Sequence, residues 1–351
     1  MDIVTKNQNV IEDITSLIEK SRSELATIVN SSLTILYWKI GDRINKEILS
    51  NQRAEYGKQI ISTLSKHLVE QYGKGFEIRN LRRMVQFSQT FSDAEIVSTL
   101  STQLSWSHFI SLMTIKDELG RNFYVQMCKF EKWSVRTLQS KVDSMLFERT
   151  AISKKPDDLI KQELELLDKD NKLSPDLVFK DPYFLDFTGL KDTYSERSLE
   201  DAILRELESF MLELGSGFTF IERQKRMIID GEDFHLDLLF FHRKLRRLVA
   251  IDLKIGKFKA AYKGQMELYL RWLEKNEQQE NEESPIGLIL CAEGNNEQIE
   301  LLQIEKSGIK VAEYLTELPD KKLLEQKLHQ AIKQNKERLD NSIPQDQKED
   351  K

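Results

Sequence analysis

The sequence predicts two domains of different class. An all-α domain covers residues 1–150 and an α/β domain with a mixed sheet covers residues 176–340, with a linker at 151–175 and a disordered tail at 341–351. Three observations predict this. From Val10 to Phe147 apolar residues recur at spacings of three and four, and no proline occurs before Pro156. From Thr150 to Ser174 the chain turns charged and is broken by Pro156, with Pro175 just beyond. Beyond Ser198 the periodicity switches repeatedly between helix and strand, in the order helix, three strands, helix, strand, helix, strand.

A length of 351 residues suffices for two domains, and 40% hydrophobic with 31% charged residues is the composition of a globular protein. No apolar run approaches the roughly 20 residues that span a bilayer. The opening MDIVTKNQNVIEDITSL lacks a basic segment followed by an apolar one, so a cytoplasmic location is expected and no membrane partner. Cys128 and Cys291 lie far apart and outside any metal-ligand spacing, and read as reduced core residues. The net charge of −6 excludes a wholly basic nucleic-acid coat. Locally the balance differs. Ile221 to Lys275 carries 13 Lys or Arg against 8 Asp or Glu, and an acidic run, Asn276 to Glu283, follows it. Such asymmetry permits a phosphate-binding surface on an acidic protein.

In the N-terminal domain the periodicity predicts a long helix through Ile11, Ile14, Ile18, Leu25, Ile28 and on to Ile44. Further helices are predicted near 58–72, 78–91, 106–114, 120–132 and 134–144. Gly73 and Gly75 separate the first two of these, a helix, a short turn and a helix whose start carries Arg79, Asn80, Arg82 and Arg83. A helix-turn-helix places DNA-reading side chains at that position. From Lys58 to Thr90 there are 6 Lys or Arg against 2 Asp or Glu. Two packed helices with a solvated basic face explain the same pattern, and both readings stay open. Trp106 and Trp133 read as core. The long helices also suggest a homodimer or higher homo-oligomer.

In the C-terminal domain, DLVFKDPYFLDFTGLKDTYSERS mixes aromatic anchors with turn residues. Ser198 is the expected N-cap of a helix running to Gly215 with an apolar stripe at Ile203, Leu207, Phe210 and Leu214. Glu200 lies on that stripe one turn earlier, either at a solvent edge or in a site. A strand FTFIERQKRMII follows, with Gln224 in mid-run, and Asp230-Gly231 signals a hairpin turn. Two further strands, FHLDLLFF and LVAIDLKI, flank the connection HRKLRR. A helix from Ala260 to Glu274, a fully apolar strand from Pro285 to Ala292, a helix near 295–305 and a strand IKVAEYL complete the domain.

The last hairpin concentrates charge where strands are usually apolar. Asp252 and Lys254 point to one face of their strand while Ile251 and Leu253 point to the other. A loop centred between Lys244 and Leu245 sets Asp237 opposite Asp252, which gathers two carboxylates and a lysine in one patch. Two such carboxylates do not both ionise cheaply without a cation. Mg²⁺, or Mn²⁺, meets that need with one or two carboxylates, waters and substrate phosphates. Lys254 and Gln265 are placed to orient a water or a phosphate. Arg246, Arg247, Lys257, Lys259 and Lys263 are candidates for backbone phosphates. An Asp–Lys salt bridge on an exposed sheet face is the bland alternative.

This arrangement resembles the PD-(D/E)XK nuclease core. More closely, the chain resembles the YhcG-like family of PD-(D/E)XK nucleases, through YGKGFEIRNLRRM, QLSWSHF, WSVRTL, DPYFLDFTGL, LELGSGFTFIERQ, DFHLDLLFFHRKLRRLVAIDLKIGKF and GQMELYL. The resemblance implies a helical, winged-helix-like N-terminal domain and a restriction-endonuclease-like C-terminal core. It implies metal ligation by Asp237 and Asp252, the catalytic lysine role for Lys254, the helix acid for Glu200 (with Glu206 and Glu213 as substitutes) and the helix glutamine for Gln265. Leu236 stands where the core motif has proline, and Asp252 where glutamate is commoner. The implied function is Mg²⁺-dependent DNA endonuclease, with RNA not excluded. A non-catalytic nucleic-acid-binding or assembly module on the same core is the alternative.

Overall fold

Close approach of two backbones organises the N-terminal part. The computed structural model describes residues 3–51, 54–190, 193–294 and 296–342. Two units divide the chain, Met1–Lys141 and Val142–Lys351. In the first, α1 (Ile3–Asn51) and α2 (Ala54–Tyr72) lead to α3 (Ile78–Thr90), α4 (Ala94–Ser101), α5 (Trp106–Leu112), α6 (Glu118–Glu131) and α7 (Val135–Asp143), the last crossing the boundary. Gly41 of α1 lies against α3 so closely that a Cβ there would sit 1.8 Å from the Met84 carbonyl oxygen. Ile44, Ile61, Leu81 and Met84 close the core around that crossing. Phe87, Phe109 and Phe91 stack beside it, with Trp106 half-buried against Phe87. Trp133 is likewise half-buried. All described strands lie in the second unit, so the helical expectation holds while the described residues of the first unit include no wing.

The second unit begins with α8 (Leu146–Arg149), α9 (Asp157–Asp170) and α10 (Pro175–Val178). The segment 151–175, expected as a linker, thus carries a helix whose Ile160, Leu164 and Leu167 are buried. Then follow β1 (Tyr183–Phe184), α11 (Glu196–Arg205), α12 (Leu207–Leu214), β2 (Phe218–Ile229), β3 (Glu232–His242), β4 (Arg247–Lys257), α13 (Ala261–Asn276), β5 (Ile286–Glu293), α14 (Asn296–Leu301), β6 (Ile309–Leu315) and α15 (Lys321–Ser342). The tail expected from 341 is helical at 341–342, and its remainder lies outside the described residues.

One mixed sheet has the order β1-β6-β5-β4-β3-β2, antiparallel between β2, β3 and β4 and parallel from β4 through β5 and β6 to β1. One side packs Leu238, Phe240, Val249, Ile251 and Leu253 with Leu199 and Ile203 of α11. The other packs Leu236, Leu239, Leu248 and Ala250 with Met266 and Tyr269 of α13. The β3–β4 ladder runs from Leu238↔Ile251 to His242↔Arg247, the register expected from a loop centred between Lys244 and Leu245. Asp230 and Gly231 both take positive φ, 50° and 83°, as a tight hairpin turn requires. One N-cap differs from expectation. Ser195, not Ser198, caps α11, accepting from the Ser198 amide at 3.0 Å, and the expected single helix breaks at Glu206. A Ser three residues past the cap donates to it instead of replacing it.

Candidate active site

Alternation along β3 slips once at Asp237. Leu236 and Leu239 face the α13 layer while Leu238 and Phe240 face the α11 layer. The ladder to β4 stops at Leu238, and the Asp237 carboxylate takes over, with Oδ2 accepting from the Leu253 amide at 2.7 Å. Asp237 is thereby fixed beside the strand that carries Asp252. Asp252 is 2% exposed and Lys254 9%, both on the α13 side of β4. Lys254 Nζ stands 2.9 Å from Asp252 Oδ2, a buried ion pair. The ammonium also lies 5.3 Å from the ring centre of Tyr262, a cation–π contact.

Glu200 reaches the same place from α11. It is 6% exposed, which answers the choice between solvent edge and interior. Its Oε2 accepts from Gln224 Nε2 at 2.8 Å, and the same nitrogen donates to Asp237 Oδ1 at 3.1 Å. Glu200 Oε1 lies 3.5 Å from Arg223 Nε and makes no hydrogen bond. One turn earlier on α11, Glu196 Oε1 accepts from the Ile255 amide at 3.4 Å.

The electrostatics follow from crowding acids in a dry place. Burial pushes the Asp252 carboxyl up from 3.8 to about 7, the Asp237 charge adds to that, and Lys254 opposes it. Burial also raises Glu200, against the Gln224 hydrogen bond and Arg223. The lysine is held above its ordinary value by Asp252 against the opposing effect of burial. The site is short of positive charge.

Other predicted residues stand apart from this cluster. Gln265 Nε2 donates along its own helix to the Tyr269 hydroxyl at 2.6 Å, and that hydroxyl donates to the His235 carbonyl at 3.2 Å. Arg246 and Arg247 sit at the hairpin loop, five or more residues before Asp252, roughly 17 Å along the strand. The acidic run answers them there, with Glu283 3.6 Å from Arg246 and 3.9 Å from Arg247. Lys257 pairs with Glu293 at 2.8 Å and Lys263 with Glu267 at 3.3 Å, while Lys259 is exposed. Glu206 is exposed at the helix break. Glu213 is held by the buried Arg149 at 2.6 Å. In the first unit Arg79 and Arg82 are exposed on the outer face of α3 and Arg83 is half-buried.

Sequence reasoning passed over Gln224 and Glu196. The signal for Gln224 was present, because the Asp230-Gly231 turn pairs Ile229 with Glu232, and counting back sets Gln224 opposite Asp237. Glu196 precedes Glu200 by four residues on one helix face. Among the described residues no three His, Cys, Asp or Glu side chains form a ready-made metal cage. Also among them, no helix is long and apolar enough to cross a membrane.

Comparison with known proteins adds the following. Residues 13–149 match the family described as the DUF1016 N-terminal domain, and residues 176–329 match the YhcG PDDEXK nuclease domain. The chain is 35% identical over 352 residues to the protein named "Putative nuclease YhcG" of Escherichia coli (strain K12), covering 92% of this chain and 93% of that one. Among solved structures, a repair endonuclease from Pyrococcus abyssi matches at 25% identity with a TM-score of 0.26, over 37% of this chain and 50% of that one. An EndoMS–dsDNA complex matches at 17% identity with a TM-score of 0.27, over 37% and 49%.

Proposed function

The chain belongs to the YhcG family, a nuclease family of PDDEXK type, and from that premise we propose that it is a Mg²⁺- or Mn²⁺-dependent DNA endonuclease acting in the cytoplasm. The observation that carries this reading is the convergence of Asp237, Asp252, Lys254 and Glu200, in which Lys254 is the counter-ion of Asp252 and the Gln224 amide joins Glu200 to Asp237. Acids crowded in a buried place do not all ionise cheaply without a further cation.

The donor set fits a hard divalent cation. Asp237 and Asp252 would hold it, with Glu200 adjacent, and the rest of the sphere is left to waters and phosphate, as Mg²⁺ prefers. A bound Mg²⁺ or Mn²⁺ would supply Lewis acidity to the phosphoryl oxygens and lower the pKa of a water. The chain's own groups do the rest. Lys254, its charge held by Asp252, stabilises the negative charge that develops on the phosphorus oxygens. Leu253 N–H and the Gln224 amide fix the two Asp237 oxygens, which keeps that carboxylate from turning away. In the first unit, Arg79, Arg82 and Arg83 support contact with DNA phosphates from the start of the second helix of the α2–α3 pair.

Supercoiled plasmid, linear duplex and single-stranded RNA incubated with Mg²⁺ or with EDTA test the proposal. Cleavage of DNA that needs the metal and disappears in Lys254→Ala is the expected result, with binding that weakens as salt rises and in Arg79→Ala/Arg82→Ala. Cleavage that survives Lys254→Ala refutes the site. Salt-sensitive binding without metal-dependent cleavage selects the non-catalytic module, and cleavage of RNA alone overturns the choice of polymer.

A second copy of the chain is the proposed partner of α1. Ile14, Leu17, Ile18, Leu25, Ile28 and Val29 are each about half or more exposed. Ile14, Ile18, Leu25 and Ile28 follow heptad spacing, the pattern that buries a stripe against another helix. Sedimentation at micromolar concentration is expected to give the dimer mass, and a monomer mass there ends the idea.

A further inference from the structure

We propose that Gln224 is a positioning residue, whose amide sets the separation and orientation of the Glu200 and Asp237 carboxylates. The consequence drawn for metal affinity rests on the nuclease reading above. Three independent observations lead here. Gln224 Nε2 donates at once to Glu200 Oε2 at 2.8 Å and to Asp237 Oδ1 at 3.1 Å, so one neutral group bridges two acids from two different elements. Gln224 sits in the middle of β2 with φ at 46°, a conformation that a non-glycine residue adopts at a cost in strain. Its register position faces Asp237, between Arg223↔Leu238 and Lys225↔Leu236.

The strain has a geometric outcome. A regular strand alternates its side chains, and Arg223 and Lys225 are turned to the acids Glu200 and Asp201 on one side and Glu222 and Glu277 on the other. The left-handed residue between them delivers an amide to the gap between Glu200 and Asp237. An amide is suited to that gap. It carries two N–H groups and no charge, so it satisfies one oxygen of each acid and leaves the negative charge of the pair for a cation. A lysine or arginine there would neutralise the pair and compete with the cation. Groups that orient a metal's ligands through hydrogen bonds commonly control its affinity.

The variant Gln224→Met keeps the length and apolar volume and removes both donors. Two measurements on the full chain read the effect. In the first, Mn²⁺ is titrated calorimetrically into wild type and Gln224→Met. The expected result is an affinity about tenfold or more lower in the variant. Affinities equal within twofold overturn the link to the cation. In the second, metal-free melting temperatures are measured for wild type, Gln224→Met, Glu200→Gln and the double variant. If the amide holds the two acids together, Gln224→Met lowers the melting temperature in wild type and much less beside Glu200→Gln, where the repulsion it relieves is gone. The same drop in both backgrounds means that Gln224 only packs, and overturns the positioning role. Wild type that takes up no Mn²⁺ counts against the nuclease reading alone, since the melting cycle still decides the role of Gln224 without metal.

Discussion

Asp252 is expected to make the stability of the metal-free protein fall as pH rises through neutrality. Its carboxyl is raised from 3.8 to about 7 by burial, with Asp237 adding to the shift and Lys254 opposing it. Between those values the folded state holds a proton that the unfolded state has released. Stability is therefore lost as pH rises, because the folded state then binds more protons than the unfolded one. The direction is set by burial, and the loss is on the order of a few kcal/mol, most of it between pH 5 and pH 8. Asp252→Asn removes the titrating group and is expected to flatten the profile in that window. The assay is urea unfolding at pH 5, 6, 7 and 8 in EDTA, comparing wild type with Asp252→Asn at each pH so that other titrating groups cancel. Mg²⁺ at millimolar concentration is expected to restore wild-type stability at pH 8, since an ion that binds only the folded state stabilises it by mass action. Identical pH profiles for wild type and Asp252→Asn in EDTA would refute the reasoning.

Two further predictions concern the scaffold. Gly41→Ala is expected to destabilise the first unit by about 2 kcal/mol, seen as a lower urea midpoint. Its Cβ would lie 1.8 Å from the Met84 carbonyl oxygen, and backbone cannot move aside as a side chain does. The sign decides, because without that clash alanine would stabilise the middle of a helix by up to about 1 kcal/mol. Arg149→Met is expected to cost about 2–3 kcal/mol, since it leaves Pro182 O and Ser144 O without their donor and Glu213 with only Lys180 and the Phe184 amide. A melting temperature within about 2 °C of wild type would show that the buried pair contributes nothing net.

The sequence alone carried the change from helical to mixed periodicity and the grouping of the candidate site's central residues. Helical periodicity without proline marked the first unit, and the alternation in FHLDLLFF and LVAIDLKI marked β3 and β4. Register was legible because a short loop leaves few ways to pair two strands, and that register brought Asp237, Asp252 and Lys254 to one place. Glu200 was legible as an acid on an apolar stripe. Tertiary structure decided the rest. β1 has two residues, too few for any periodicity, and exists because β6 offers a free edge. The basic surface counted along the chain thins out in space, since Glu283 and Glu293 return to pair with Arg246, Arg247 and Lys257. Gln265 is turned to Tyr269, and Gln224, noted in the sequence only as a mid-strand residue, bridges the acids. Periodicity and turn chemistry are local, so a sequence carries them openly. Which charge meets which depends on surfaces brought together from distant parts of the chain, and on a single strained torsion at Gln224 that no pattern in the sequence announces.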